Sequence, residues 1–357
     1  MKNAYIIGWD IGGAHLKAAL MDNTGVIIQT TQQACPLWQG IHRLEESVQV
    51  IMRYFDLDSN QISHAITMTG ELVDCFMNRY EGVAQILNSM SLLFANNELF
   101  VFAGLQGLLP LSQIKIQHYE QIASTNWLAS ATVTAQLIGD GLFVDIGSTT
   151  TDILVLKNNQ VLAQGMTDYQ RLCTQELIYT GIIRTPVMAI TQSIPYETHS
   201  NNIDNHEGLS VGIMAEYFAT MADVYRLTGE LNEAHDQSNT ADGAEKTIIA
   251  SARRLSRMIG CDFFESELSR WQRVAQYLRN QQLNKIELAC SQHLLNASHN
   301  SPLIGAGVGR FLVKQLAQHL QRPYIDFSDL FEQNPIACSL QTADCAPAVA
   351  MAYLANR

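Results

Sequence analysis

The sequence has no run of the ~18 consecutive apolar residues that crosses a bilayer as a helix. The longest candidate, residues 100–111, is too short and contains Gln106. Charge is also scarce, at 16% of residues against a usual ~25%. A lean charge count suits a surface partly covered by a second domain or subunit, with a homodimer as the mild preference. Basic residues are the rarer sign: 22 Lys and Arg face 34 Asp and Glu, a net charge of −12. That balance argues against a nucleic acid or an anionic membrane as partner. It leaves room for a small-molecule phosphorylated substrate, because backbone amides and a metal can hold phosphate locally. The seven cysteines form no CxxC pair and no cysteine–histidine cluster at zinc spacing. Their plain reading is reduced thiols in a cytoplasmic protein. The opening MKNAYIIGWDIGG lacks a signal-peptide cleavage pattern and carries Asp10 early.

What is present is a globular composition, 47% hydrophobic over 357 residues, enough for about two domains. The most informative feature is an internal repeat. DIGGAHLKAALMDNTGVIIQ from Asp10 aligns without a gap with DIGSTTTDILVLKNNQVLAQ from Asp145, an offset of 135. Asp10, Ile11, Gly12, Asn23, Val26 and Gln29 meet Asp145, Ile146, Gly147, Asn158, Val161 and Gln164. Each copy predicts strand, glycine turn, strand, polar hairpin turn, strand.

The turn chemistry points to phosphate. Glycines after a strand let backbone N–H groups approach an anion. Gly12, Gly13 and Gly147 are placed for this, with Ser148, Thr149 and Thr150 adding hydroxyls and Lys17 a cation. Asp10, Asp145 and Asp152 suit Mg²⁺, directly or through water. A third glycine element, Gly305, Gly307 and Gly309, follows an apolar run and precedes a helical pattern, where close approach to a ligand is favoured. Helical spacing from residue 206 to 229 places Glu216 and Asp223 on one polar stripe, the expected cleft face. Residues 232–242 read as a mobile polar loop. The helix after it, about 244–259, carries Arg253, Arg254 and Arg257, which could grip an anion or serve as surface ion-pair partners. His15 could touch a ligand, though a turn histidine is more often incidental, and Trp38, Trp127 and Cys75 have packing as their commoner role.

Two DxG hairpin turns and a late GAGxG turn resemble the actin, sugar-kinase and Hsp70 ATPase superfamily. The resemblance implies an α/β fold of two ribonuclease-H-like (actin-like ATPase) domains around a central cleft. It implies residues 1–137 plus 340–357 for the first domain and 138–339 for the second. Met68-Thr69-Gly70-Glu71-Leu72 is similar to the TGEL-type turn of the hydantoinase/oxoprolinase branch. The segments at 126–131, 179–187, 222–229 and 253–255 resemble the subgroup of that branch linked to tetrahydromethanopterin C1 transfer. Its archaeal member is a methanofuran-biosynthesis synthase.

That resemblance implies a transferase joining an aminomethylfuran-methyl diphosphate to the phenol of γ-glutamyltyramine, with release of diphosphate. The DxG turns then hold the diphosphate with Mg²⁺. Lys17 stabilises the leaving group, and Glu71 or Asp74 serves as base for a phenol of pKa ~10. Two other readings stand beside it. One is an ATP-dependent phosphotransferase or hydantoinase/oxoprolinase-like enzyme, with ATP in the turns and at the third glycine element. The other is a non-catalytic nucleotide-binding actin-like protein.

Overall fold

The computed structural model describes residues 3–57, 62–195, 210–295, 297–298, 300–334 and 340–357. The chain begins as an antiparallel meander of β1 (Tyr5–Ile11), β2 (His15–Asp22) and β3 (Ile27–Ala34). Asp22 Oδ1 closes the second turn by accepting from the N–H groups of Thr24 and Val26. α1 (His42–Phe55) lays Leu44, Val48 and Ile51 against the meander. Next come β4 (Ile62–Met68), α2 (Arg79–Leu93), β5 (Glu98–Phe102) and β6 (Leu108–Pro110). The sheet order is β3-β2-β1-β4-β5-β6, with β4 parallel to β1. Every residue of β4 is buried, as a strand covered on both faces requires.

Two helices, α3 (Tyr119–Ile122) and α4 (Asn126–Ile138), lead to the second half. There β7 (Gly141–Ile146), β8 (Thr151–Lys157) and β9 (Gln160–Val161) repeat the meander. Asn158 and Asn159, at φ 53° and 62°, form its two-residue hairpin turn, the conformation asparagine tolerates best after glycine. α5 (Asp168–Thr174) and β10 (Leu177–Ile178) follow. A separate hairpin, β11 (Ser193–Pro195) with β12 (Ser210–Gly212), precedes α6 (Met221–Thr228), α7 (Ile248–Arg257) and α8 (Leu268–Leu294). β13 (Leu303–Ala306), α9 (Arg310–His319), β14 (Tyr324–Asp326) and α10 (Ala346–Asn356) complete the fold. The second sheet runs β10-β8-β7-β13-β14, with β13 parallel to both β7 and β14. Both sheets thus place an antiparallel meander beside parallel strands reached by crossovers.

α4 and α10 join the halves in one apolar core with Ile6, Ala65, Phe143 and Leu154. α10 is rich in alanine, so its backbone can lie close to a strand. It lies so close that a Cβ on Gly8 of β1 would overlap the Ala348 carbonyl oxygen. Gly8→Ala is therefore expected to cost about 3 kcal/mol, read as a lowered urea midpoint with an unchanged slope. A midpoint equal to wild type would refute this docking.

The middle of the chain departs from its helical spacing. Residues 206–209 lie outside the described residues. From 213 to 219 the chain is irregular, and only Met221–Thr228 is helical. The cause is competition for the backbone. Ala219 O accepts the Val187 N–H, and Thr220 bridges Pro186 before its side chain caps α6 in a box with Asp223. The expected mobile loop 232–242 is pinned instead. Asp236 is buried and takes Arg226 at 2.7 Å and Lys246 at 3.2 Å, while His235 meets Asp344. The helix expected over 244–259 spans only Ile248–Arg257. Thr247 caps it, its side chain accepting the Ala250 N–H, so the first turn starts later. Six cysteines among the described residues are free; Cys338 lies outside them.

Candidate active site

The two meander turns face one cavity of about 750 Å³. Their backbones match bond for bond. Gly12 N–H donates to His15 O at 3.0 Å, and Gly147 N–H to Thr150 O at 2.8 Å. The carbonyls of Gly13 and Ala14 are taken by Leu37 and Cys35 N–H groups, and those of Gly147 and Ser148 by Ile182, Ile183 and Arg184. Among the described residues, no protein acceptor takes the N–H of Gly13, Ala14, Ser148 or Thr149. The buried Ser148 hydroxyl oxygen is also without a partner. Such unclaimed donors on a cavity wall are an anion cradle.

Asp10 pairs in register with Lys17, and Asp145 with Asp152. Lys17 and Asp152 thus occupy the same place in the two copies. All four line the cavity. Burial pushes Asp145 up to about 7, with the Asp152 carboxylate adding to the effect and Lys17 opposing it. Burial also raises Asp10, against Lys17 and the Asn126 amide that donates to it at 3.2 Å. Burial works against the Lys17 charge, but Cys345, Asp10, Asp145 and Asp344 outweigh it and hold the ammonium above its ordinary value. Lys17 Nζ donates to Asp344 O at 2.8 Å, which fixes it beside the acids. Burial, with Lys17 and Arg184, pushes His15 down to about 4, leaving a neutral imidazole on the wall.

The three-aspartate metal set is altered by the structure. Asp152 is ion-paired with Arg171 at 2.7 Å, and Arg171 lies over the Trp127 ring at 3.9 Å. No three His, Cys, Asp or Glu side chains among the described residues converge as a preformed metal site. Asp10 and Asp145 remain as hard oxygen donors with a deficit of positive charge. That suits Mg²⁺, which commonly takes one or two carboxylates and completes its shell with water and phosphate oxygens.

Other expected residues are placed less directly. Asp74 is exposed and lines the cavity. Glu71 is fully buried and absent from the cavity lining, and it meets the wall through the Ser124 hydroxyl. The TGEL turn sits behind the first DxG turn, where Ile11 O accepts the N–H groups of Thr69 and Gly70. The GAGVG turn is its counterpart in the second half, with Gly309 N–H donating to Ile146 O at 2.8 Å.

Gly305, Gly307 and Gly309 do not line this cavity. Gly307 has φ +77°, and a Cβ there would overlap Asp145 Oδ1, so its absence keeps Asp145 in place. Glu216 is exposed, and neither it nor Asp223 lines the cavity. Asp223 is buried and takes Ser251 and Arg254, both at 2.8 Å. Arg254 and Arg257 both bond Asp242 and serve ion pairs, while Arg253 is exposed and, like them, does not line the cavity.

Arg171, Arg184, Ser124 and Asn126 line the cavity without having been singled out for it. None belongs to the repeat or to a glycine motif. Asn126 and Arg184 fall within the segments 126–131 and 179–187 that carry the family resemblance, whereas Ser124 and Arg171 had no signal in the sequence.

Two ribonuclease-H-like domains around a cleft, each presenting a DxG turn, define a member of the actin-like ATPase fold class. The chain belongs to the hydantoinase/oxoprolinase family, whose profile matches residues 62–345. It is 32% identical over 258 residues, 72% of each chain, to the (4-{4-[2-(γ-L-glutamylamino)ethyl]phenoxymethyl}furan-2-yl)methanamine synthase of Methanocaldococcus jannaschii. The protein of the same name from Methanococcus vannielii is 30% identical over 121 residues, 34% of this chain and half of that one. Among solved structures, nucleotide-free acetone carboxylase shares the fold at TM-score 0.59, with 10% identity over 99% of this chain and 70% of that chain.

Proposed function

We propose that the protein condenses an aminomethylfuran-methyl diphosphate with the phenol of a (γ-glutamyl)tyramine, forming the aryl ether and releasing diphosphate. The observation that carries the reading is the convergence of two matched phosphate turns on one cavity that also holds a half-buried cation, Lys17. The relatives' names supply the substrate class, since a phenoxymethylfuran is what such a condensation yields.

In this reading the N–H groups of Gly13, Ala14, Ser148 and Thr149 and the Ser148 hydroxyl hold the diphosphate. Lys17 stabilises the charge that grows on the leaving oxygen. Asp10 and Asp145 would hold Mg²⁺, which would neutralise further charge on the diphosphate. Trp38, Leu72 and Tyr179, exposed residues of the cavity wall, suit the furan and phenol rings. The furan ring spreads positive charge from the methylene carbon as its bond to diphosphate lengthens, and the phenol oxygen attacks that carbon.

The test supplies the protein with ATP alone, then with the furan diphosphate with and without the tyramine. Diphosphate release that requires the phenol, with one ether formed per diphosphate, supports the synthase. Phosphate from ATP without ether formation replaces it with the ATP-dependent reading. Binding without either product leaves the non-catalytic one.

A further inference from the structure

We propose that Ser124 is a catalytic residue: its hydroxyl takes the phenol proton of the acceptor while passing its own proton to Glu71. This rests on the synthase reading above and gives the acceptor its base.

Ser124 connects α3 to α4 and lines the cavity. Its backbone sits at φ +53°, a left-handed conformation that strains a residue with a side chain and gathers at functional sites. The conformation is anchored, because Ser124 O accepts the Trp127 indole N–H at 2.8 Å. Ser124 Oγ donates to Glu71 Oε1 at 2.6 Å. With its proton engaged there, the hydroxyl keeps lone pairs for an incoming O–H.

Glu71 is 0% exposed, and its Oε2 is buried with no partner. Among the described residues it has no salt-bridge partner. The charged groups acting on it, Arg79 and Asp168, oppose one another in sign and are themselves ion-paired at 3.0 Å. A buried carboxyl with one oxygen unclaimed is costly as structure. It is useful as a proton acceptor, and burial raises its proton affinity toward that of a phenol. Asp74, the other candidate base, is exposed and has no such environment.

The step balances. The phenol O–H proton moves to Ser124 Oγ as the Ser124 proton moves to Glu71 Oε1. The phenol oxygen bonds to the furan methylene carbon, and the carbon–oxygen bond to diphosphate breaks with its electron pair leaving on diphosphate. After the ether departs, Glu71 returns a proton to Ser124 Oγ as Ser124 releases its own to water in the open cavity, which restores the relay.

The test compares wild type, Ser124→Gly and Glu71→Gln with γ-glutamyltyramine and with the same acceptor fluorinated on the ring. Glycine tolerates the left-handed φ, and glutamine can still accept from Ser124, so both variants preserve the local geometry. With the parent phenol, kcat falls roughly 10²–10³-fold in each variant, and KM for the furan diphosphate is unchanged. The fluorinated phenol, already ionised at mildly alkaline pH, restores at least about tenfold of that loss in the variants and gives no gain in wild type. A purely packing role lowers both acceptors equally. Equal loss with the two phenols, or no loss, overturns the relay while ether formation by wild type keeps the synthase reading. Absence of ether from wild type overturns both.

Discussion

Asp145→Asn is expected to abolish diphosphate release and at the same time to raise the melting temperature of the metal-free protein at pH 8. Asp145 is the penultimate residue of the first strand of the second meander, half-buried and facing Asp152, Asp10 and Lys17. In the fold its carboxyl is held at about 7, against 3.8 when unperturbed. Below pH 4 both folded and unfolded forms carry the proton, and Asp145 contributes no difference. Between pH 4 and 7 the folded form keeps a proton that the unfolded form has lost. Stability therefore falls as pH rises, by up to about 1.4 kcal/mol per pH unit.

Above pH 7 the full cost is present, on the order of 2–4 kcal/mol. Asparagine is similar in shape and has nothing to ionise. Melts in EDTA should converge for variant and wild type near pH 4 and separate by pH 8 in favour of the variant. Near-normal turnover by the variant would remove Asp145 from the diphosphate site. A variant less stable than wild type at pH 8 would remove the electrostatic account of it.

Lys17→Met should lose turnover by about 10³-fold or more, with the opposite sign in stability. Lys17 is the cation that the cavity acids act upon. It stands in the register position that the second copy fills with Asp152. Without it, Asp10 and Asp145 lose their opposing charge, and a leaving diphosphate loses the cation on the cavity wall, a contribution worth several kcal/mol at a transition state. At pH 8 the variant should melt below wild type, and the Lys17→Met/Asp145→Asn double variant should lie between the single ones. The melts of the four proteins form a double-mutant cycle whose coupling reports the Lys17–Asp145 attraction. A kcat within a factor of three of wild type in Lys17→Met would sink the role given to the cation.

Legibility followed the range of the interactions. The repeat at offset 135 was readable because a strand, a DxG turn and a return strand are specified within about a dozen residues. The match extends to Gly12 N–H with His15 O and Gly147 N–H with Thr150 O. Residues 213–220 depart from the helical spacing that 214, 217, 218, 221, 224 and 225 satisfy, because the backbone at 219 and 220 is claimed by Val187 and Pro186, while Met221–Thr228 keeps it. No periodicity records such a distant competitor. Asp223 looked like a cleft carboxylate for the same reason. Its partner Arg254 is 31 residues away, and sequence spacing does not show which of several arginines will reach it.

The sequence by itself determined the α/β class, the two meanders and the residue types of the phosphate turns, because local turn chemistry and strand patterning carry that information. Only the tertiary structure decided which carboxylates stay open to a ligand and which are consumed. Asp152 is taken by Arg171, Asp223 by Arg254, and Glu71 is withdrawn behind Ser124. The physical reason is that a side chain's charge state and reach depend on burial and on partners brought from far along the chain. Asp145 and Asp152, paired across one meander, therefore begin alike in sequence and become different groups in the fold, one left open and the other held by Arg171.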